Sequence, residues 1–264
     1  MLKAALHVHS AYSDGEFTLS GLKKVYLDQG FSVVCITDHD DHFDMHKLVD
    51  YISECTALSD DKFLFVCGLE YRGEGEMHIL GYGATVLANT QDPQSVIRHI
   101  AEHDGIPVIA HPQDSMFSLI ESFETLPLGI ETWNSKYDGQ YAPRPGTFRL
   151  LHGLQARRPQ MRAFYGQDMH WKTQFRGLTT HLNCSVLDRR AILDTLAAGN
   201  YSGVKGDLSL SSAGELSAEL AAEFAARHAR SDRMRNTLKA GRKAFDRLGI
   251  KPPASLKSQI RRLF

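Results

Sequence analysis

Six short blocks constrain this chain more than any other feature. They read L-H-V-H-S-A-Y-S-D-G, I-T-D-H-D, G-L-E-Y, M-H-I-L-G-Y-G, V-I-A-H-P and G-Q-D-M-H. Nearly every block begins as an apolar, β-prone run and ends on an imidazole or a carboxylate. Together they carry His7, His9, Asp14, His39, Glu70, His78, His111, Asp168 and His170. Such groups are expensive to bury unless a metal or a hydrogen bond satisfies them. A lone H-x-H or D-x-H is weak evidence of a metal site. The ordered set of six blocks, each at a strand end, is strong evidence. Imidazole mixed with carboxylate suits Zn, Mn or Fe.

Strand and helix patterns alternate along the chain. Apolar runs occur at 3–9, 31–38, 62–70, 77–82, 106–111, 128–133, 162–168 and 178–185, with helical patterns at 19–29, 45–59, 92–104, 147–155 and 188–198. Asp92 and Asp188 are N-cap candidates, and Pro93 suits a first helical position. This rhythm predicts a mainly parallel sheet buried on both faces. The length of 264 residues and the apolar fraction of 42% suit a closed (β/α) barrel. Barrel enzymes place their chemistry at the C-terminal ends of strands, where these blocks put their ligands. Side chains two apart share a strand face, so His7 and His9 aim into one mouth, and so do Asp168 and His170. Asp14 lies in an S-x-x-S-D-G turn, where Gly15 permits an unusual backbone angle.

The formal charge of −1 argues against a polyanion binder by composition. No apolar run reaches the length of a membrane span. Met1 leads straight into the first strand with no signal peptide, which predicts a cytoplasmic protein. Cys35, Cys55, Cys67 and Cys184 form no C-x-x-C pair and read as free thiols. G-x-S-x-G and Walker A motifs are absent. Composition shifts near Ser209. From Ser212 onward there are 12 Lys/Arg against 5 Asp/Glu. Leu216, Leu220 and Phe224, then Met234, Leu238, Phe245 and Leu248, form a helical apolar stripe. The expected organisation is a barrel over 1–210 and a basic helical extension over 211–264. That extension is either a cap on the barrel or a contact surface for a polyanion or a second subunit. Oligomeric state stays open.

The opening H-x-H-S-x-x-S-D-G resembles the PHP (polymerase and histidinol phosphatase) family of metal-dependent phosphoesterases. The similarity runs from His7 to about His170. It implies a distorted (β/α)7 TIM-like barrel with two or three divalent ions (Zn, Mn or Fe) in its mouth. By the family pattern, His7, His9, Glu70 and Asp168 would hold one ion. Glu70 would bridge to a second, also held by His78 and His111. Asp14, His39 and His170 would hold a third and sit closest to catalysis. A bridging hydroxide would attack phosphorus, and His170 or a metal-bound water would protonate the leaving group. The expected substrate is a small phosphate monoester: a nucleotide, a sugar phosphate or histidinol phosphate. Alternatives are a phosphodiesterase or 3'-5' exonuclease acting on nucleic acid, and a non-enzymatic PHP-like scaffold. The strand-end segment E-T-W-N-S-K-Y-D-G lacks the arginine associated with histidinol phosphatase, whereas the compact stretch from Glu70 to H-I-L-G-Y-G is similar to nucleotide-type members. Substrate-binding candidates are Lys136, Arg144, Lys172 and Arg176, with Asn134 and Glu131 lining the pocket. Tyr137 could flank a ring, and Trp133 is better read as core. Asp38, Asp40, Ser10 and Ser13 are candidate hydrogen-bond partners of the ligands. His42 and His46 lie near the His39 loop, whereas His99 and His103 read as a solvated helix face.

Overall fold

The computed structural model describes residues 1–139 and 142–247. Its sheet has ten strands in the order β10-β9-β8-β1-β2-β3-β4-β5-β6-β7. Strand β1 (Leu2–Val8) runs parallel to β2 (Val33–His39), and β2 to β3 (Leu64–Arg72). The chain then turns straight back into β4 (His78–Tyr82), antiparallel to β3 and to β5 (Ile106–Ile109). Strands β6 (Gly129–Asn134) and β7 (Arg162–Gly166) restore parallel pairing. After β7 the chain hydrogen-bonds to β1. The amides of Gln167 and Asp168 donate to the carbonyls of Leu6 (2.9 Å) and His7 (2.7 Å), and His9 N–H donates to Met169 O (3.0 Å). The result is a nearly closed, barrel-like sheet.

The strands β8 (Thr179–Leu182), β9 (Tyr201–Lys205) and β10 (Leu208–Ser211) form an antiparallel flap, joined where Leu2 pairs with Leu182. The sheet is therefore not mainly parallel: four of its neighbour pairings are parallel and five antiparallel. Hairpins join β3 to β4 and β9 to β10 and impose antiparallel pairing there, while β4–β5 and β8–β9 are antiparallel with a helix in each connection.

Helices α1 (Leu19–Asp28), α2 (Met45–Leu58), α3 (Pro93–Glu102), α4 (Phe117–Glu121), α5 (Pro145–Gln155) and α6 (Arg189–Ala198) are interspersed with the strands. Side chains of Thr18, Asp44, Asp92 and Asp188 cap α1, α2, α3 and α6, and Pro93 opens α3. These caps satisfy amides that the helix start leaves unpaired. The interiors of β1–β8 are almost wholly buried, and the largest enclosed side chains include Trp133 and Tyr82 on strands and Tyr26 and Tyr51 on helices. Cys35, Cys55 and Cys67 are buried free thiols, and Cys184 is half-buried. Helix α7 (Ala218–Arg247) touches α5 and buries Phe224, with Leu216 and Leu220 packed against the core. Leu248 and the side chain of Phe245, predicted to extend that stripe, lie outside the described residues. Among the described residues, no helix is long and apolar enough to cross a membrane.

Candidate metal centre

The direction of β4 explains an irregularity in the motif blocks. His39 ends β2 and Glu70 lies near the end of β3, but His78 begins β4. Because β4 is antiparallel to β3, its first residue lies at the same end of the sheet as its neighbours' last ones, and Arg72 pairs with His78. His111 follows β5, and Asp168 follows β7. The ladder breaks locally where these side chains turn inward. The β1–β2 register slips between Leu6 and Val8. His7, His111 and Asp168 have φ of 59°, 28° and 51°. A positive φ is costly for a residue with a Cβ and persists only where surrounding structure enforces it.

Glu70 is the hub. Its Oε2 lies 3.2 Å from His7 Nε2, 3.1 Å from His9 Nε2 and 3.4 Å from His39 Nδ1. Its Oε1 lies 2.9 Å from His78 Nδ1 and 3.2 Å from His111 Nε2. Asp168 Oδ1 is 3.2 Å from His170 Nδ1 and 3.8 Å from His9 Nε2, and its Oδ2 is 3.8 Å from His111 Nε2. Asp14 Oδ1 approaches His170 Nε2 at 3.2 Å, His39 Nε2 at 3.7 Å and His9 Nδ1 at 3.9 Å. Four overlapping sets have ligand atoms within 4.8 Å of one another: His9, Asp14, His39 and His170; His7, His9 and Asp168; His7, Glu70 and His111; His39, Glu70 and His78. All nine residues singled out in the motif blocks thus converge. The sets share members, so His9 and His39 reach both the Glu70 and the Asp14 sides.

The electrostatics suit a cation. Burial favours neutral imidazole and lowers His9 to about 3, and its Nδ1 has no hydrogen-bond partner. Burial alone would raise Glu70, but His7, His111 and His78 hold it well below the carboxylate range. Asp168 is likewise held low, against burial, by His7, His111 and Lys136. Burial lowers His7, yet Glu131, Glu70 and Asp168 outweigh it and push His7 up. Metal ligands must be deprotonated carboxylates and neutral imidazoles. Buried carboxylates and a neutral His9 with an orphaned ring nitrogen fit a divalent ion, whereas His7, pushed up by its carboxylates, would have to lose its proton to ligate one.

Glu131 organises the site from behind. Its Oε1 accepts from His7 Nδ1 (2.9 Å), and its Oε2 accepts from His111 N–H and Asn134 Nδ2, both at 2.9 Å. A carboxylate behind an imidazole selects the tautomer whose far nitrogen faces the metal. Gly166 makes room for it, since a Cβ there would lie 1.6 Å from Glu131 Oε1. The sequence marked Glu131 only as a pocket residue. Its signal was the same as that of the ligands, a carboxylate inside an apolar strand. Asp38, by contrast, accepts from the amides and hydroxyls of Ser10 and Ser13 and so shapes the loop that carries Asp14. Gly15 has no positive φ. A Cβ there would meet His9 O at 2.5 Å, so close backbone approach is what requires glycine.

The substrate-binding candidates separate. Lys136 Nζ lies 3.0 Å from Asp168 Oδ1 and 3.4 Å from His170 Nδ1. Asn134 is buried. Its Nδ2 donates to Glu131 and Asp168, and its Oδ1 accepts the amides of Lys136 and Tyr137. Arg144 donates to the buried Asp138 carboxylate, to Pro112 O (2.7 Å) and to Asp114. It thereby braces the segment after β6 against the one after β5. Arg176 donates to Ser135 O, and Lys172 is exposed, with its amide on Glu16. Asp40 accepts Arg72 N–H, and burial pushes it up to about 6. His42 stacks loosely near His39, with ring centroids 6.2 Å apart, while His99 binds Val86 O on the surface of α3.

Residues 5–134 match the model of the PHP domain family. The chain carries a PHP domain. Among solved structures, it is similar to a Bacteroides vulgatus two-domain protein containing a predicted PHP-like metal-dependent phosphoesterase. The TM-score is 0.53 at 14% identity, covering 80% of this chain and 66% of that one. This PHP chain therefore spans just under two thirds of that protein's length. Two further likenesses are to an amidohydrolase from Chromobacterium violaceum (16% identity, 74% of this chain, 96% of that one, TM-score 0.48) and to PsfC from Pseudomonas syringae (13%, 78%, 92%, 0.49). At these identities the likeness concerns the fold alone. No curated protein matches the PHP chain.

Proposed function

We propose that this PHP protein is a metal-dependent phosphoesterase that releases phosphate from a small-molecule monoester. One observation carries the reading: nine imidazole and carboxylate side chains from six segments converge around Glu70 and Asp168 at one end of the barrel-like sheet. In this reading β1–β7 form the (β/α)7 barrel of the family within residues 1–210, and 211–264 form an extension. His7, His9, Glu70 and Asp168 would hold one ion; Glu70, His78 and His111 a second; Asp14, His39 and His170 a third.

Divalent ions there would supply Lewis acidity toward water and phosphoryl oxygens near neutral pH. The chain's own residues do the rest. Burial lowers the Lys136 ammonium, but Asp168 outweighs it and raises Lys136 above the usual lysine value, so it stays charged. It stands at the ligands as a point charge for phosphate oxygens. Both His170 nitrogens face carboxylates, Asp14 and Asp168. In this reading His170 or a metal-bound water would protonate the leaving alcohol. Glu131 and Asn134 hold His7, His111 and Asp168 in register.

The test is a phosphate-release screen with metals quantified on the same sample. The panel holds nucleoside mono- and bisphosphates, histidinol phosphate, sugar phosphates and short oligonucleotides, each with Mn or Zn. Phosphate release from one small-molecule class by metal-bearing protein is the expected result. Bound metal with shortening of oligonucleotides, or much faster cleavage of bis-p-nitrophenyl phosphate than of p-nitrophenyl phosphate, would move the protein to the diesterase class.

A further inference from the structure

Most Phe, Tyr and Trp side chains among the described residues are buried. Among the Phe, Tyr and Trp of the described residues, only Tyr137 and Trp171 are exposed, at 41% and 47%. Both stand at the metal centre. The Tyr137 ring lies 4.4 Å from that of His111, and the Trp171 ring 5.4 Å from that of His170. Ring contacts continue through His7 and His9, so the two aromatics stand at opposite ends of one imidazole series. Leaving such rings in water forgoes the free energy of burying their apolar area, about 25 cal/mol per Å².

Neither ring sits on an untethered loop. Gln174 Oε1 accepts the amides of His170 (2.7 Å) and Trp171 (3.1 Å), and Glu16 N–H donates to His170 O. Tyr137 N–H donates to Asn134 Oδ1, and the same Asn134 donates to Asp168 and Glu131. These bonds hold the backbone that carries each exposed ring. Lys136 lies between them, with Nζ 5.2 Å from the Tyr137 centroid and beside His170.

We propose that Trp171 is a stacking platform for a planar ring in the alcohol part of the substrate. The substrate class is a phosphate monoester bearing a heteroaromatic ring, of the nucleoside monophosphate type. Phosphate sits at Lys136 and the ligands, and the ring lies on Trp171. Aromatic faces accept any base because every base has a π-face. This rests on the phosphomonoesterase reading, but its test does not depend on turnover.

The chain has two tryptophans, and Trp133 is buried. Fluorescence of the exposed Trp171 therefore reports on its face. Adenosine 5'-monophosphate and ribose 5-phosphate share the phosphate and the alcohol and differ by the base. Titrated into the full-length, metal-loaded protein, the nucleotide is expected to quench Trp171 saturably, and the sugar phosphate is not. Trp171→Phe removes that signal. In turnover assays, kcat/KM is expected to favour the nucleotide by about tenfold or more, and Trp171→Ala to collapse that preference by a similar factor. Quenching without phosphate release would keep the platform and overturn the monoesterase reading. Phosphate release with no quenching and equal kcat/KM for both compounds would overturn the platform alone.

Discussion

The two poles of the ligand array are built differently. Glu70 is enclosed (1% exposed), stands on β3 and meets five imidazoles within 3.4 Å. Asp14 is 43% exposed, stands on a loop, and meets three imidazoles at 3.2 to 3.9 Å. The inner pole inherits its geometry from strand pairing and backbone strain. The outer pole depends on the Ser10–Asp38–Ser13 hydrogen bonds. Strand-held donors are preorganised, so the inner pole is expected to hold metal more tightly and the outer pole to exchange it.

The most severe way to break this contrast is Glu70→Ala. It leaves five buried or half-buried imidazoles without their shared anion, and bound metal and phosphatase activity should both fall by orders of magnitude. Breaking a buried charged network also costs about 3–5 kcal/mol, measurable by denaturant melts of metal-free protein. Retained metal would show that the inner pole does not centre on Glu70. Chelation comes next. Ligands that bind only the folded state stabilise it by about 4 kcal/mol at a thousandfold excess over Kd. Stripping metal should therefore lower Tm, and stepwise chelation should release the outer ion first; simultaneous loss of all metal would erase the distinction. Glu131→Gln keeps the volume but removes the charge that orients His7, and a loss of about 10–100-fold in metal affinity or activity is expected. Unchanged affinity would reduce Glu131 to a packing residue. Asp14→Asn is the mildest. It should lower outer-site occupancy and turnover while leaving inner metal in place and global stability within about 0.5 kcal/mol. Loss of inner metal in that variant would mean that the poles act as one.

Much of the site was legible because its chemistry is local. An imidazole inside an apolar strand announces itself, and so do the caps at Asp92 and Asp188. His78 shows the boundary of that legibility. Its block was visible, but its place at the start of a strand made sense only once β4 proved antiparallel. Glu131 shows another boundary: the residue was visible, but its bond to His7 spans 124 positions in the chain. Arg144 looked like a phosphate ligand by charge, yet its partners are Asp138, Asp114 and Pro112. The flap strands β9 and β10 are short and weakly apolar, with nothing in their pattern to set them apart from the approach to α7.

By itself the sequence determined the donor chemistry, the strand and helix rhythm, the helix starts and the PHP resemblance, because residue type, period and spacing are properties of neighbouring positions. The tertiary structure alone decided which donors share an ion-sized space, which carboxylate orients His7, which way β4 runs and which two aromatics stay exposed at the mouth. Those outcomes depend on strand pairing and closure between distant segments. Local periodicity specifies a strand's faces but not its neighbour or its direction.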